Sequence, residues 1–262
     1  MKNKMKDISV GIFTQLKSKD KYSSILNTWG SEFDKINIVC GIDNNIKDYK
    51  LNEVVLDVDD SYNGLMEKQM KALEYMYHND PAEWYFVCGD DTFLYKEHSI
   101  EMLKKFNSDE DLYVGGHCGV LKNLLKEPYK NEVIHNYYPS GGPGFFVSNG
   151  LMKKIINDIN SIISLWIDTC EYKTRENFLF ASDAGFGYAM SQMYNIPITT
   201  LCEMKSDGIV NDGFYNFNAE YYPCGNNEIG TIILIDKPIS YHYVKIHDMY
   251  RLYENKKNSI FR

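Results

Sequence analysis

Three places in this 262-residue chain combine residue types that could do chemistry. The first is Gly89-Asp90-Asp91, which follows the run Trp84-Tyr85-Phe86-Val87-Cys88. A run of aromatic and β-branched residues of that length reads as a buried strand. Two adjacent carboxylates at its carboxyl end are costly unless something positive meets them. That end of a strand is also where ligands bind in open α/β sheets. A divalent cation carrying a phosphorylated ligand would supply the charge; a solvated acidic turn is the plain alternative. The second is Ser140-Gly141-Gly142-Pro143-Gly144, dense enough in glycine to let the backbone approach a ligand, or simply to make a tight turn. The third is Asp183, just before an expected helix over Tyr188 to Tyr194, where it would either cap the helix or face a cleft. His242 stands in an expected late strand, Ile239 to Val244, and by itself reads as a strand histidine satisfied by a neighbour.

The elements that must hold these residues alternate in type. Strands are expected at Ile8 to Thr14, Ile36 to Gly41, Val54 to Leu56 and Trp84 to Cys88. Helices are expected at Tyr22 to Trp29, with Gly30 as its C-cap, and at Ser61 to Tyr77, where apolar residues recur at three and four. Alternation of this kind indicates an α/β fold with a mostly parallel central sheet flanked by helices. Neither G-x-G-x-x-G nor G-x-x-x-x-G-K-[ST] is present, so a nucleotide site would be of another type. Further on, Glu97 to Phe106 and Gly150 to Leu165 read as helices, and Leu112 to Val114, Phe145 to Val147 and Ile232 to Ile235 as strands. Lys68 would face either a nucleotide or solvent, with solvent the favoured reading. The aromatic cluster from Phe214 to Tyr222 would either stack on a ligand ring or pack within a loop. No break in composition divides the chain, so one domain over 1–262 is expected.

A net charge of −8 and a pI near 5.3 argue against nucleic acid as a partner. Arginine occurs only at positions 175, 251 and 262, so a phosphate ligand would rely on Lys, backbone N–H groups or a metal. The six cysteines are scattered without a C-x-x-C pair, and no apolar stretch is long enough for a signal peptide or membrane span. These features lead us to expect reduced thiols and a cytoplasmic protein.

The order of the motifs resembles the Fringe-like inverting β1,3-glycosyltransferases, and most closely the core 1 β1,3-galactosyltransferase branch. Asn27-Thr28-Trp29 is similar to that family's T-W helix end, and Asp60-Ser61-Tyr62-Asn63-Gly64-Leu65 with Lys68 to D/E-S-Y-x-N-L-x-x-K. Trp84-Tyr85-Phe86 with Gly89-Asp90-Asp91-Thr92-Phe93-Leu94 resembles W-F-x-x-x-D-D-D-T-Y-V. Tyr113 to Gly116, Ser140 to Ser148, Ser182 to Gly187 and Ser240 to Val244 match further family segments in the same order. The resemblance implies a GT-A fold, a nucleotide-binding half over about 8–95 and an acceptor-binding half over about 96–250. It also implies transfer of a hexose, with galactose favoured, from a UDP-sugar to a glycan or glycoconjugate hydroxyl. By position, Asp91 and His242 would hold Mn²⁺, Asp90 would sit against ribose or metal-bound water, and Asp183 would be the base. Gly141, Gly142 and Gly144 would pass close to the donor sugar and acceptor. A homodimer is compatible with this reading. The sequence departs from the pattern at Gly89, in place of the first acid of the triplet, at Ser182, in place of Glu, and at Pro143, in place of Ala. The first two keep open an alternative, a catalytically impaired relative that binds sugar nucleotides or glycans, or serves as a partner protein.

Overall fold

The computed structural model describes residues 7–43, 53–116, 118–173, 176–177, 181–201, 203–205, 209–210, 213–214 and 237–260. Strand β1 (Ile8–Phe13) leads into helix α1 (Lys19–Leu26), then β2 (Lys35–Ile42), β3 (Glu53–Asp59), helix α2 (Leu65–Asn79) and β4 (Trp84–Gly89). The short β5 (Phe93–Leu94), α3 (Lys96–Leu103) and β6 (Tyr113–Gly115) follow, then the hairpin of β7 (Cys118–Val120) and β8 (Tyr137–Pro139). Next come β9 (Phe145–Ser148), α4 (Asn149–Ile155), α5 (Ile159–Thr169) and the two-residue strands β10 (Tyr172–Lys173) and β11 (Glu176–Asn177). The remaining elements are α6 (Ser182–Tyr194), β12 (Thr199–Thr200), β13 (Met204–Lys205), β14 (Ile209–Val210), β15 (Gly213–Phe214), β16 (Ser240–Tyr241) and α7 (Ile246–Ile260).

Seven strands form the central sheet in the order β12-β6-β9-β4-β1-β2-β3. All are parallel except β9, which runs antiparallel to both β4 and β6. Alternation along β4 shows how both faces are used. Tyr85 and Val87 join one core with Met70 and Leu73 of α2, Trp166 of α5 and Phe186 of α6. Trp84, Phe86 and Cys88 join the other, with Ile25 of α1, Leu103 of α3 and Met249 of α7. A strand covered on both faces is apolar throughout, which is why Trp84 to Cys88 reads as a continuous run.

Several boundaries differ from the expectation, each for a local reason. Helix α1 ends at Leu26, and Gly30 lies in a separate 3₁₀ turn over Trp29–Glu32 instead of capping it. A Cβ on Gly30 would meet the Ile25 carbonyl at 2.8 Å, so close packing explains the glycine better than a C-cap does. The helix expected over Gly150 to Leu165 is two helices, parted by a 3₁₀ turn at Ile156–Asp158. The strand expected over Ile239 to Val244 is confined to Ser240–Tyr241, because Tyr243 has φ of 55° and turns the chain out of the ladder. The segment Ile232 to Ile235 and the aromatic stretch beyond Phe214 lie outside the described residues.

Lys68 is the largest correction. It is 2% exposed, not solvated. Its Nζ donates to Asp60 Oδ1 at 2.8 Å and to the Thr14 carbonyl at 2.8 Å. Asp60 in turn accepts from the Gly41 amide (2.7 Å) and the Leu16 amide (3.0 Å). The pair therefore ties the carboxyl ends of β1, β2 and β3 to α2. Removing one member strands a buried charge, so Lys68→Met should lower the urea-denaturation stability by about 3–5 kcal/mol. Adding Asp60→Leu to that variant should restore part of the loss; a Lys68→Met cost below about 1 kcal/mol would contradict this arrangement.

Candidate functional site

The turn after β4 carries Asp90 and Asp91 out of the main sheet and into β5, which pairs antiparallel with β16. The register sets Tyr241 against Phe93, so continuing it one residue brings His242 opposite Thr92, beside Asp91. His242 Nε2 lies 3.4 Å from Asp91 Oδ1. The Val244 amide donates to the Asp91 carbonyl at 2.9 Å and locks the two segments together. Trp29 Nε1 donates to the Thr92 carbonyl at 3.0 Å, which explains the tryptophan at the end of the first helical region.

The glycine turn closes the same site from the other side. Thr92 Oγ1 donates to the Gly142 carbonyl and Ser240 Oγ to the Pro143 carbonyl, both at 2.7 Å. A Cβ on Gly142 would lie 2.2 Å from His242 Nδ1, so glycine here is what lets the imidazole sit beside Asp91. Gly144 has φ of 80°, and a Cβ there would overlap the Phe86 ring at 2.3 Å. The Gly141 amide donates to Asp183 Oδ2 at 2.6 Å.

Asp183 sits inside the first turn of α6, which begins at Ser182, and Ala181 occupies the N-cap position. It is not the N-cap residue, though its carboxylate still takes up first-turn amides of this helix. Its Oδ1 accepts from the Ala184 amide at 2.8 Å. Burial pushes its carboxyl above the ordinary aspartate range; the amides of Gly141, Ala184 and its own residue, then His242, oppose this incompletely. Ser182, where the family pattern has an acid, donates its hydroxyl to Gln69 Oε1 at 2.6 Å and so faces α2.

Many of these groups line one cleft of about 550 Å³ at the carboxyl ends of β1 and β4. Gly89, Asp90, Asp91, Gly141, Gly142, Asp183 and His242 are on its wall; Gly144 is not, and packs against Phe86 instead. The sequence reading missed several wall residues. Thr14 Oγ1 donates to Asp90 Oδ2 at 2.7 Å, and Lys21 Nζ pairs with Asp90 Oδ1 at 3.1 Å. Thr14 was findable as the last residue of a parallel strand; Lys21 was not, since nothing local distinguishes it from a surface lysine. Tyr62 and Tyr243 also border the cleft.

Asp91 and His242 are donor types that a divalent cation accepts, and such an ion would need its remaining ligands from outside the chain. Asp91 is 30% and His242 16% exposed, so both reach the cleft. Among the described residues, no group of three or more His, Cys, Asp or Glu could hold a metal without such outside ligands. Cys40, Cys88 and Cys170 are buried, and burial pushes the Cys40 thiol up to about 12, which disfavours its thiolate.

Comparison with known proteins places the chain. The family model described as Fringe-like matches residues 3–209. The chain belongs to the Fringe-like family. This Fringe-like chain is 20% identical, over 97% of its length and 61% of the relative's, to human beta-1,3-N-acetylglucosaminyltransferase lunatic fringe. It is 22% identical, over 79% of its length and 55% of the relative's, to the Xenopus laevis glycoprotein-N-acetylgalactosamine 3-beta-galactosyltransferase 1. The chain thus spans less than two thirds of these relatives. A solved structure of the galactosyltransferase LgtC with donor and acceptor sugar analogues superposes with a TM-score of 0.50 at 9% identity, over 94% of this chain and 95% of that one. The Fringe-like chain therefore has the GT-A fold, as the motif order implied. No helix among the described residues is long and apolar enough to cross a membrane.

The two glycine contacts give a graded test. Gly142→Ala should displace the His242 ring and cost about 1–3 kcal/mol in chemical denaturation. Gly141→Ala, whose Cβ would meet Asp183 Cβ at 3.1 Å, should cost less. Equal costs would contradict the close approach at Gly142.

Proposed function

We propose that this protein is an inverting hexosyltransferase that moves a hexose, galactose by the nearer motif pattern, from a UDP-sugar to a hydroxyl of a glycan or glycoconjugate. The observation that carries the reading is the convergence on one cleft of the Asp91–His242 pair and the amide-held carboxylate of Asp183. The names of the two relatives, a β1,3-N-acetylglucosaminyltransferase and a 3-β-galactosyltransferase, support the same reaction class. Mn²⁺ held by Asp91 and His242 would neutralise charge developing on the UDP leaving group.

In this reading the chain's own residues do the rest. Asp183 accepts the proton of the acceptor hydroxyl as that oxygen bonds to the anomeric carbon. The bond from that carbon to the UDP oxygen breaks, and UDP leaves with the electron pair. A single displacement inverts the configuration. The Gly141 amide holds the Asp183 carboxylate in one orientation, which is the positioning a base needs. Thr14 and Lys21 hold Asp90 toward the nucleotide end of the cleft.

A second reading, a sugar-nucleotide-binding protein without transfer activity, is favoured by one observation. A side chain at Gly89 would extend toward Asp91, whose Oδ1 lies 3.3 Å from the Cβ position, and here no side chain fills that place. Turnover separates the two readings. Protein with Mn²⁺ and a panel of UDP-sugars should release UDP in the presence of acceptor glycosides, and EDTA should stop it. Asp183→Asn should cut the rate by about 10²–10⁴-fold while UDP still binds by calorimetry. UDP binding with no release under any condition would leave the binding protein standing. The pH profile follows from the raised Asp183 pKa: the base works ionised, so kcat/KM should fall as pH drops through a value above the ordinary aspartate pKa of about 3.9.

A further inference from the structure

Asp91 and His242 lie on two separate segments. One runs from Asp91 through β5 into α3; the other runs from Pro238 through β16 and His242 into α7. Near the cleft these segments share few bonds. The ladder of β5 with β16 has two residue pairs, and the Val244 amide adds one bond to the Asp91 carbonyl. A pairing that short is marginal in water unless other elements hold it. What keeps His242 within 3.4 Å of Asp91 must therefore lie partly elsewhere.

The start of α3 supplies the other ties, on both sides of His242. Upstream, the Tyr95 amide donates to the Ile239 carbonyl at 2.8 Å. His98 Nδ1 lies 2.6 Å from the Pro238 carbonyl. A carbonyl only accepts, so Nδ1 carries the proton and donates it. The His98 ring stacks on Tyr95, with centroids 5.1 Å apart, and Tyr95 meets Tyr241, the residue before His242, edge-on at 6.0 Å. Downstream, the tie comes from the far end of α7. Lys256 pairs with Glu97 of α3 at 2.7 Å and with Glu32 in the 3₁₀ turn after α1. Its side chain is 6% exposed, a place lysine takes only when it is paired.

Neither His98 nor Lys256 is on the cleft wall. Lys256 stands roughly 15 Å along the helix from Ile246, where α7 begins. Between them Met249 is buried in the core that also holds Ile25 and Leu103. The helix is unbroken, so fixing its far end fixes the direction in which the chain leaves His242. We propose that His98 and Lys256 are positioning residues for His242: they clamp the chain on either side of it to α3 and so set its approach to Asp91. The functional consequence rests on the metal-site reading of Asp91 and His242, but the clamp itself is measurable with no metal or sugar nucleotide present.

Amide hydrogen exchange of the full chain reads the clamp directly. His98→Leu and Lys256→Met should each speed exchange of the Val244 amide by about tenfold, with the amides of Phe86 and Val87 in β4 unchanged. His98→Asn, which keeps a donor near the Nδ1 position, and Lys256→Arg, which keeps the cation, should retain most of the protection. Calorimetry with UDP reads the consequence. In Mn²⁺, His98→Leu and Lys256→Met should each bind UDP about threefold to tenfold more weakly, and in EDTA they should bind it as the wild type does. In a His242→Ala background neither should weaken UDP binding further, because both act through His242. Unchanged Val244 exchange in both His98→Leu and Lys256→Met would overturn the clamp. So would an equal rise in exchange across β4, which is general loosening, or additive losses of UDP affinity in the His242→Ala background. Wild-type UDP binding that is indifferent to Mn²⁺, with Val244 exchange still faster in the variants, would sink the metal reading and leave the clamp intact.

Discussion

The buried pair of Lys68 and Asp60 is the constraint on which the rest of the cleft depends. A carboxylate this enclosed is tolerable only when it is both paired and hydrogen-bonded, and Asp60 is both. Its partner amides belong to the residues just beyond β1 and within β2, and Lys68 belongs to α2. The same ammonium bonds the Thr14 carbonyl, and the Thr14 hydroxyl bonds Asp90. One ion pair thus fixes where the floor of the cleft lies and which way the first acid of the strand-end turn points.

From that floor the site is assembled by pairing, not by sequence proximity. Asp91 leaves the central sheet on β5, and the three-stranded β13-β16-β5 ladder returns His242 to it from more than a hundred residues away. The glycine turn is bonded to both sides of this junction through Thr92 and Ser240. Asp183 joins through a single amide, that of Gly141. Each functional group therefore rests on a backbone contact that would fail if its neighbour moved. This is the physical sense in which the site is preorganised.

Strain and substitution mark where this chain departs from a uniform design. Tyr243 holds a conformation that glycine would take more easily, and it does so at the cleft wall. Gly89, by contrast, takes no positive φ and leaves open space, with only the Asp91 carboxylate oxygen in close reach. Its backbone does not require glycine, so what it alters is the charge and volume of the cleft beside Asp91. Ser182 borders the cleft and spends its hydroxyl on Gln69 of α2, so it brings no carboxylate to the wall.

Much of this was legible in one dimension. The apolar run before Gly89-Asp90-Asp91 read as a strand because it is covered on both faces, and its acids marked the ligand end because parallel strands present that end to solvent. The motif order gave the family, the fold and the candidate residues. What the sequence did not reveal was direction. Lys68 read as solvent-facing because helical spacing cannot show that a charge is waiting at Asp60, just beyond the end of β3. Asp183 read as a cap or a cleft residue until α6 proved to start before it. The end of a strand at Tyr243 was invisible, since its positive φ is imposed by contacts at Asp91 and β5. Local pattern determined which residues are candidates for the chemistry, because side-chain type and periodicity are written residue by residue. Only the tertiary structure decided that Asp91 and His242 meet, and that Asp183 turns toward them, because strand register and buried pairing are settled between segments far apart in the chain.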